Sequence, residues 1–208
     1  MAIQSIVSLF ALALAATASP ISSQLAGRAA DNHATTPETP AANSVWQPEM
    51  YNVYPESPDL CKPPVTHLHV EAYQEKSQLE QVAIFRGIPA EARVCTLMWS
   101  QAVKEDRVFV TKGQSAHTRV TQLSGLPAEG PITFSSIQPF DVAPEEESVG
   151  PDFTFWDDAG FGQSDHNAGI INCAEEIYLK VSMRNSTATA TLFMEQDAQN
   201  GFWIEWEL

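Results

Sequence analysis

The sequence predicts an all-β protein: an antiparallel β-sandwich, jelly-roll-like, built of short strands and carrying one long acidic loop. Three observations lead there. Apolar residues recur with a period of two over stretches of five to nine residues, as a strand with one buried face requires. Glycine and proline signals separate these stretches at short intervals. No stretch sustains a helical period and no segment repeats, which leaves a sandwich or an open barrel.

The first residues, MAIQSIVSLFALALAATASP, hold an apolar run from Ile6 to Ala16 with small residues at Ala16 and Ala18. This is the pattern of a secretory signal peptide cut after Ala18, although its start carries no Lys or Arg. The run is too short to span a bilayer, and no second run of about 20 apolar residues exists. The expected location is therefore secreted, extracellular or cell wall.

Residues 19–45 are expected to form a flexible leader. Its prolines (Pro20, Pro37, Pro40), threonines (Thr35, Thr36, Thr39) and alanines offer too little apolar surface to offset the entropy of ordering. Arg28 is a candidate processing point and the threonines are candidates for O-glycosylation. The domain itself is expected over residues 46–208. Trp46, Tyr51 and Tyr54 arrive close together, and each has a large area to bury. They suit an extended arm packed on the sheets and broken by Pro48, Pro55 and Pro58; a sugar-stacking platform is the functional counterpart.

Two strands follow, Val65 to Tyr73 and Leu79 to Arg86, with a short polar connection that predicts an antiparallel hairpin. His67 and His69 point to one side, with Glu71 beside them, a spacing able to hold zinc if a further ligand is present. Arg93 to Ala102 is apolar on both faces, with Cys95, Leu97 and Trp99 on one and Val94, Thr96 and Met98 on the other, so it belongs in the middle of a sheet. Arg107 to Lys112, His117 to Leu123 and, more weakly, Ile132 to Ile137 are the next strands.

Pro139 to Asn172 is the acidic loop, rich in glycine and in aromatics set among carboxylates. A long loop on a rigid scaffold is where function is expected. Asp152, Asp157, Asp158 and Asp165 supply the oxygen ligands calcium prefers, but not at the spacing of an EF-hand. The same carboxylates invite a glycosidase reading, which needs two of them facing each other across a cleft. Apart from calcium at this loop, no cofactor is expected.

The last third, Cys173 to Leu208, reads as three successive strands. Ile177, Leu179, Val181 and Met183 alternate with polar residues; Ala190, Leu192 and Met194 follow; Phe202, Ile204 and Trp206 close the chain. Trp203, on the opposite face beside Glu205, is the candidate exposed aromatic. Asn185-Ser186-Thr187 is an N-glycosylation sequon in the turn between the first two of these strands.

Three cysteines in an exported chain favour a disulfide. Three pairings are possible. Cys95 within an apolar strand and Cys173 just before another are the expected pair, with Cys61 left free in a loop; no Cys-His arrangement suggests a catalytic thiol. The formal charge of −15 repels nucleic acid and anionic lipid. No serine elbow, zinc-protease helix, phosphate loop or nucleotide fingerprint occurs. An extracellular binding domain is the leading expectation, its partner a cell-wall polysaccharide or an extracellular protein; a carbohydrate-active enzyme using the loop carboxylates is the alternative.

The run VYPESPD at Val53 to Asp59, the segment QVAIFRGIPAEARVC at Gln81 to Cys95, the FTFWDD core of the loop, Cys173 and the closing NGFWIEWEL together resemble the fungal family called the ubiquitin-three-binding But-two C-terminal domain. The likeness covers about Gln47 to Leu208. It implies a small domain of fungal, often exported, proteins without established catalytic residues, and it supports the Cys95–Cys173 pairing. The partner in the family's name is intracellular, so the signal peptide argues against carrying it over.

Overall fold

A computed structural model describes residues 43–208 apart from 75, 114, 159 and 185–188. The expected signal peptide, nearly all of the expected leader and Asn185 lie outside the described residues. Two antiparallel sheets stack face to face. The first contains β1 (Ser44–Trp46), β11 (Gly201–Glu207), β5 (Val94–Gln101) and β8 (Ser164–Ile171), in that order. The second runs β6 (Phe109–Gly113), β10 (Ala190–Glu195), β3 (His67–Tyr73), β4 (Lys76–Arg86), β9 (Glu176–Met183) and β7 (Thr118–Gln122), with β2 (Glu49–Val53) paired to β4. The chain passes between the sheets repeatedly, and its first and last strands lie side by side. No helix among the described residues is long and apolar enough to cross a membrane.

Alternation builds the core. Leu68 and Val70, Ala83 and Phe85, Leu179 and Val181, and Leu192 and Met194 project inward from the wider sheet against Cys95, Leu97, Trp99, Phe202 and Ile204 from the other. The expected hairpin of β3 and β4 is present, with a bulge at Glu71 and Ala72. β5 is an inner strand, flanked by β11 and β8. Cys95 and Cys173 form a disulfide, and Cys61 is free and exposed.

The structure departs from the sequence reading at four places. Ser44 and Val45, assigned to the leader, pair with Glu205 and Ile204 of β11, so the domain begins before Trp46. The arm after Trp46 is a true strand, β2, whose ladder with β4 is uninterrupted from Glu49 to Val53 because Pro48 and Pro55 fall outside it. Ile132 to Ile137 is no strand: Phe134–Ile137 is a single helical turn, α1, started by a capping box in which Thr133 and Ser136 bond each other's backbone N–H. Finally, the acidic loop contains β8. Its sequence SDHNAGII carries little apolar alternation because it is an edge strand, pairing only with β5, and edges tolerate polar residues.

The connection after β7 does not hang free. It crosses the outer face of the wider sheet, where Leu123 and Ile137 join Val53, Val82 and Ile84 in a second apolar cluster. Val82 and Ile84 are the outward residues of β4, so that strand is buried on both faces, as its continuous run of apolar residues requires. A polar contact pins the same segment: Lys180 Nζ of β9 donates to Asp141 and lies 3.9 Å from Glu80 of β4. Burial pushes the Glu80 carboxyl above its ordinary range, partly countered by the charge of Lys180.

Candidate functional site

The described residues among 152–163 form the outer end of the acidic loop, and their geometry is set one residue at a time. Asp152 accepts from the backbone N–H and the hydroxyl of Thr154, closing a turn. Thr154 Oγ1 in turn accepts from Ala116 N–H, tying the loop to the segment before β7. Phe153 is driven into the core, its ring edge-on to Trp99, Phe109 and Phe202. The next residue reverses direction: Phe155 has a left-handed backbone, φ 71°, and its ring is 77% exposed. A bulky residue in that region is strained, and strain of this kind concentrates at functional surfaces.

Two further aromatics follow Phe155 in the chain. Trp156 is half-buried, packed edge-on to Trp99 and to His166, and its ring centroid lies 4.5 Å from that of Phe161. Phe161 is itself 40% exposed. Beneath them His166 of β8 stacks flat on Trp99, centroids 4.1 Å apart, with its Nε2 on Ser164 Oγ. Burial holds the His166 imidazole below its ordinary range, so the neutral ring is favoured. Arg107 braces the loop from behind by donating to the carbonyls of Ala102, Asp158 and Phe161. The result is a packed pair, Trp156 and Phe161, with Phe155 the preceding residue in the chain and open to solvent.

The four aspartates proposed as calcium ligands each accept a hydrogen bond from a different donor. Asp152 closes its own turn, Asp157 accepts from Thr111 N–H at 2.8 Å, Asp158 accepts from Gly160 N–H at 2.7 Å, and Asp165 accepts from Ser100 Oγ at 2.5 Å. Each carboxylate is committed to a different local partner, and among the described residues no group of three or more His, Cys, Asp or Glu side chains is arranged for a metal.

Two other sequence candidates pack against aromatic rings. His67 and His69 share a face as expected, but the ring of Phe193 from β10 lies against both, and His69 Nε2 is bonded to Glu71. Trp203 is buried, not exposed. Trp46 of β1 stacks on it, and its Nε1–H donates to Ser100 Oγ, which donates onward to Asp165. The outward face of β11 was legible in the alternation; that β1 covers it was not, since the leader carries no strand signal before Ser44.

Sequence reasoning also missed a charged array on the outer face of the wider sheet. Arg86 of β4 bonds Glu49 of β2 at 2.8 Å and lies 3.4 Å from Glu176 of β9, while Tyr51 donates to Glu49 and Tyr178 to Glu176. These hydrogen bonds hold Glu49 below the usual carboxylate range and raise both tyrosines. The five residues are scattered from 49 to 178, and only strand register brings them together. A cleft of about 480 Å³ opens above them, walled by Gly125 to Gly130.

Compared with models of known protein families and with curated proteins, the chain matches none.

Proposed function

We propose that this is a secreted, non-catalytic fungal protein that binds cell-wall polysaccharide through the aromatic tip of its acidic loop. The observation that carries the reading is Phe155: a strained backbone holds an exposed aromatic ring at the position next in the chain to Trp156, which packs on the part-exposed Phe161. Sugar rings present apolar faces of C–H bonds that stack on such side chains, and a tip fixed by Arg107 and Asp157 loses little entropy on binding. The amino-terminal apolar run, the Cys95–Cys173 disulfide and the resemblance to a fungal family of exported domains support the same reading. Glycosylation at Asn185 belongs to it. A catalytic reading draws no comparable support, since the loop aspartates are tied into local hydrogen bonds.

The test is retention of purified protein on chitin, on glucan and on whole cell walls. The natural chain is expected to be retained on at least one of them, and Phe155→Ala and Trp156→Ala to be released. No retention on any of the three rejects the proposal, and retention unchanged in both variants moves the site elsewhere.

A further inference from the structure

We propose that Lys180 and Asp141 become joined by an amide bond formed within the folded chain, assisted by Glu80, so that the connection after β7 is fastened covalently to β9. The three residues come from separate segments. Lys180 stands opposite Val82 in the β4–β9 ladder, and Glu80 stands diagonal to it on the same outer face. Asp141 arrives from the connection, where Phe140 packs against the second apolar cluster and its carbonyl accepts from Ser124 N–H at 2.9 Å. Lys180 Nζ touches the Asp141 carboxylate and lies 3.9 Å from Glu80 Oε2. The side chains of Lys180, Asp141 and Glu80 are only 14%, 16% and 10% exposed, and Glu80 Oε2 has no hydrogen-bond partner among the described residues.

An ammonium and a carboxylate held in contact under an apolar cover are expensive to keep ionised. Conversion to an amide removes both charges, and a closed site keeps out the water that would reverse the step. Contact within the fold supplies the proximity that the same reaction lacks between free side chains in solution. The step balances without an oxidant or reductant. Lys180 Nζ bonds to Asp141 Cγ, one Cγ–O bond breaks, and the two protons that Nζ gives up leave with that oxygen as water. Burial favours the protonated form of the Glu80 carboxyl, which then has a proton to donate to the acyl oxygen as that oxygen gains charge.

The test is peptide mapping of the full chain by mass spectrometry, after reduction, removal of N-linked sugar and cleavage on the carboxyl side of glutamate. Asp141 then falls in the fragment 130–145 and Lys180 in the fragment 177–195. The natural chain is expected to give a branched peptide with the mass of the two fragments less one water, and fragment ions that place the junction at Asp141 and Lys180. Lys180→Arg, which keeps the positive charge beside Asp141, should give the two fragments separately. Glu80→Ala should lower the branched fraction about tenfold or more, with circular dichroism confirming that the variant is folded. Should it not fold, Glu80→Asp, which draws the carboxyl back by one methylene, makes the same comparison. Separate fragments alone from the natural chain overturn the proposal, as does a branched peptide that persists in Lys180→Arg. A branched fraction unchanged in both Glu80 variants overturns the part assigned to that carboxyl.

Discussion

Trp46 lies flat on Trp203, ring centroids 4.7 Å apart and planes 8° from parallel. The first strand of the domain thus seals the outer face of the last, and beneath the pair runs a hydrogen-bond chain from Trp203 Nε1 through Ser100 to Asp165. Removing Trp203 opens a large cavity and leaves Ser100 without a donor. Trp203→Ala is expected to cost about 3–5 kcal/mol, read as a lowered urea midpoint with an unchanged slope. A loss below about 1 kcal/mol means the stack is peripheral.

Gln81 is a side chain acting as a strand. Fully buried, it accepts from His69 N–H at 2.7 Å and donates to His67 C=O and to Asn52, where β3 and β4 have parted company. Gln122 does the same for Asn172 at the exposed end of β8. Gln81→Leu leaves buried backbone groups unpaired and is expected to cost about 2–3 kcal/mol, whereas Gln122→Leu, whose partners water can reach, should cost about 1 kcal/mol or less. Equal costs in thermal denaturation count against this account.

The Cys95–Cys173 bridge spans 78 residues of chain, most of the domain's middle. Cross-linking so long a loop restricts the unfolded chain, and a Cys95→Ser, Cys173→Ser double variant is expected to lose about 2–4 kcal/mol. Denaturation with and without reductant checks it: the natural chain should fall to the variant's stability on reduction, and the variant should not respond.

Glu80 gives a pH signature with a definite sign. Burial raises its folded-state pKa above the unfolded value, so the folded chain favours the protonated form. The resulting stability is full below the unfolded pKa, near 4.3, and is lost as pH rises through the raised folded value. Glu80→Gln mimics the protonated form at every pH. It should match the natural chain in acid and exceed its melting temperature at neutral pH. A variant less stable at pH 7 means that the Lys180 contact outweighs burial.

Phe155 separates binding from folding. At φ 71° a glycine is less strained than phenylalanine, and the exposed ring contributes little burial. Phe155→Gly is therefore expected to hold or raise stability by up to about 1 kcal/mol while abolishing retention on polysaccharide. Loss of fold in this variant shows that the ring has a structural role instead.

Much of the frame was legible because β-alternation is local. Ile177, Leu179 and Val181, or Phe202 and Ile204, point inward in the structure as their spacing requires, and β5 is an inner strand as its two apolar faces demand. The misses share a cause. Ser44 and Val45 and the polar β8 are edge strands, which need a partner's hydrogen bonds more than an apolar pattern. Ile132 to Ile137 looked like a strand because six residues are too few to distinguish periods, and the Thr133–Ser136 capping box decided for a helical turn.

What the sequence determined by itself was everything carried by neighbours in the chain: the inward faces of most strands, the breaks between them and the concentration of aromatics and carboxylates at 152–165. Which of those side chains meets solvent was decided by the tertiary structure alone. Trp203 is buried because a strand more than 150 residues earlier in sequence covers it, and Phe155 is exposed because Asp152, Thr154 and Arg107 fix the loop that turns it out. The donors that meet Asp165 and Asp157 of the acidic loop, the Ser100 hydroxyl and the Thr111 backbone N–H, were likewise brought in from distant strands. Exposure and convergence are properties of pairs of segments, and period-two patterning within one segment carries no information about its partner.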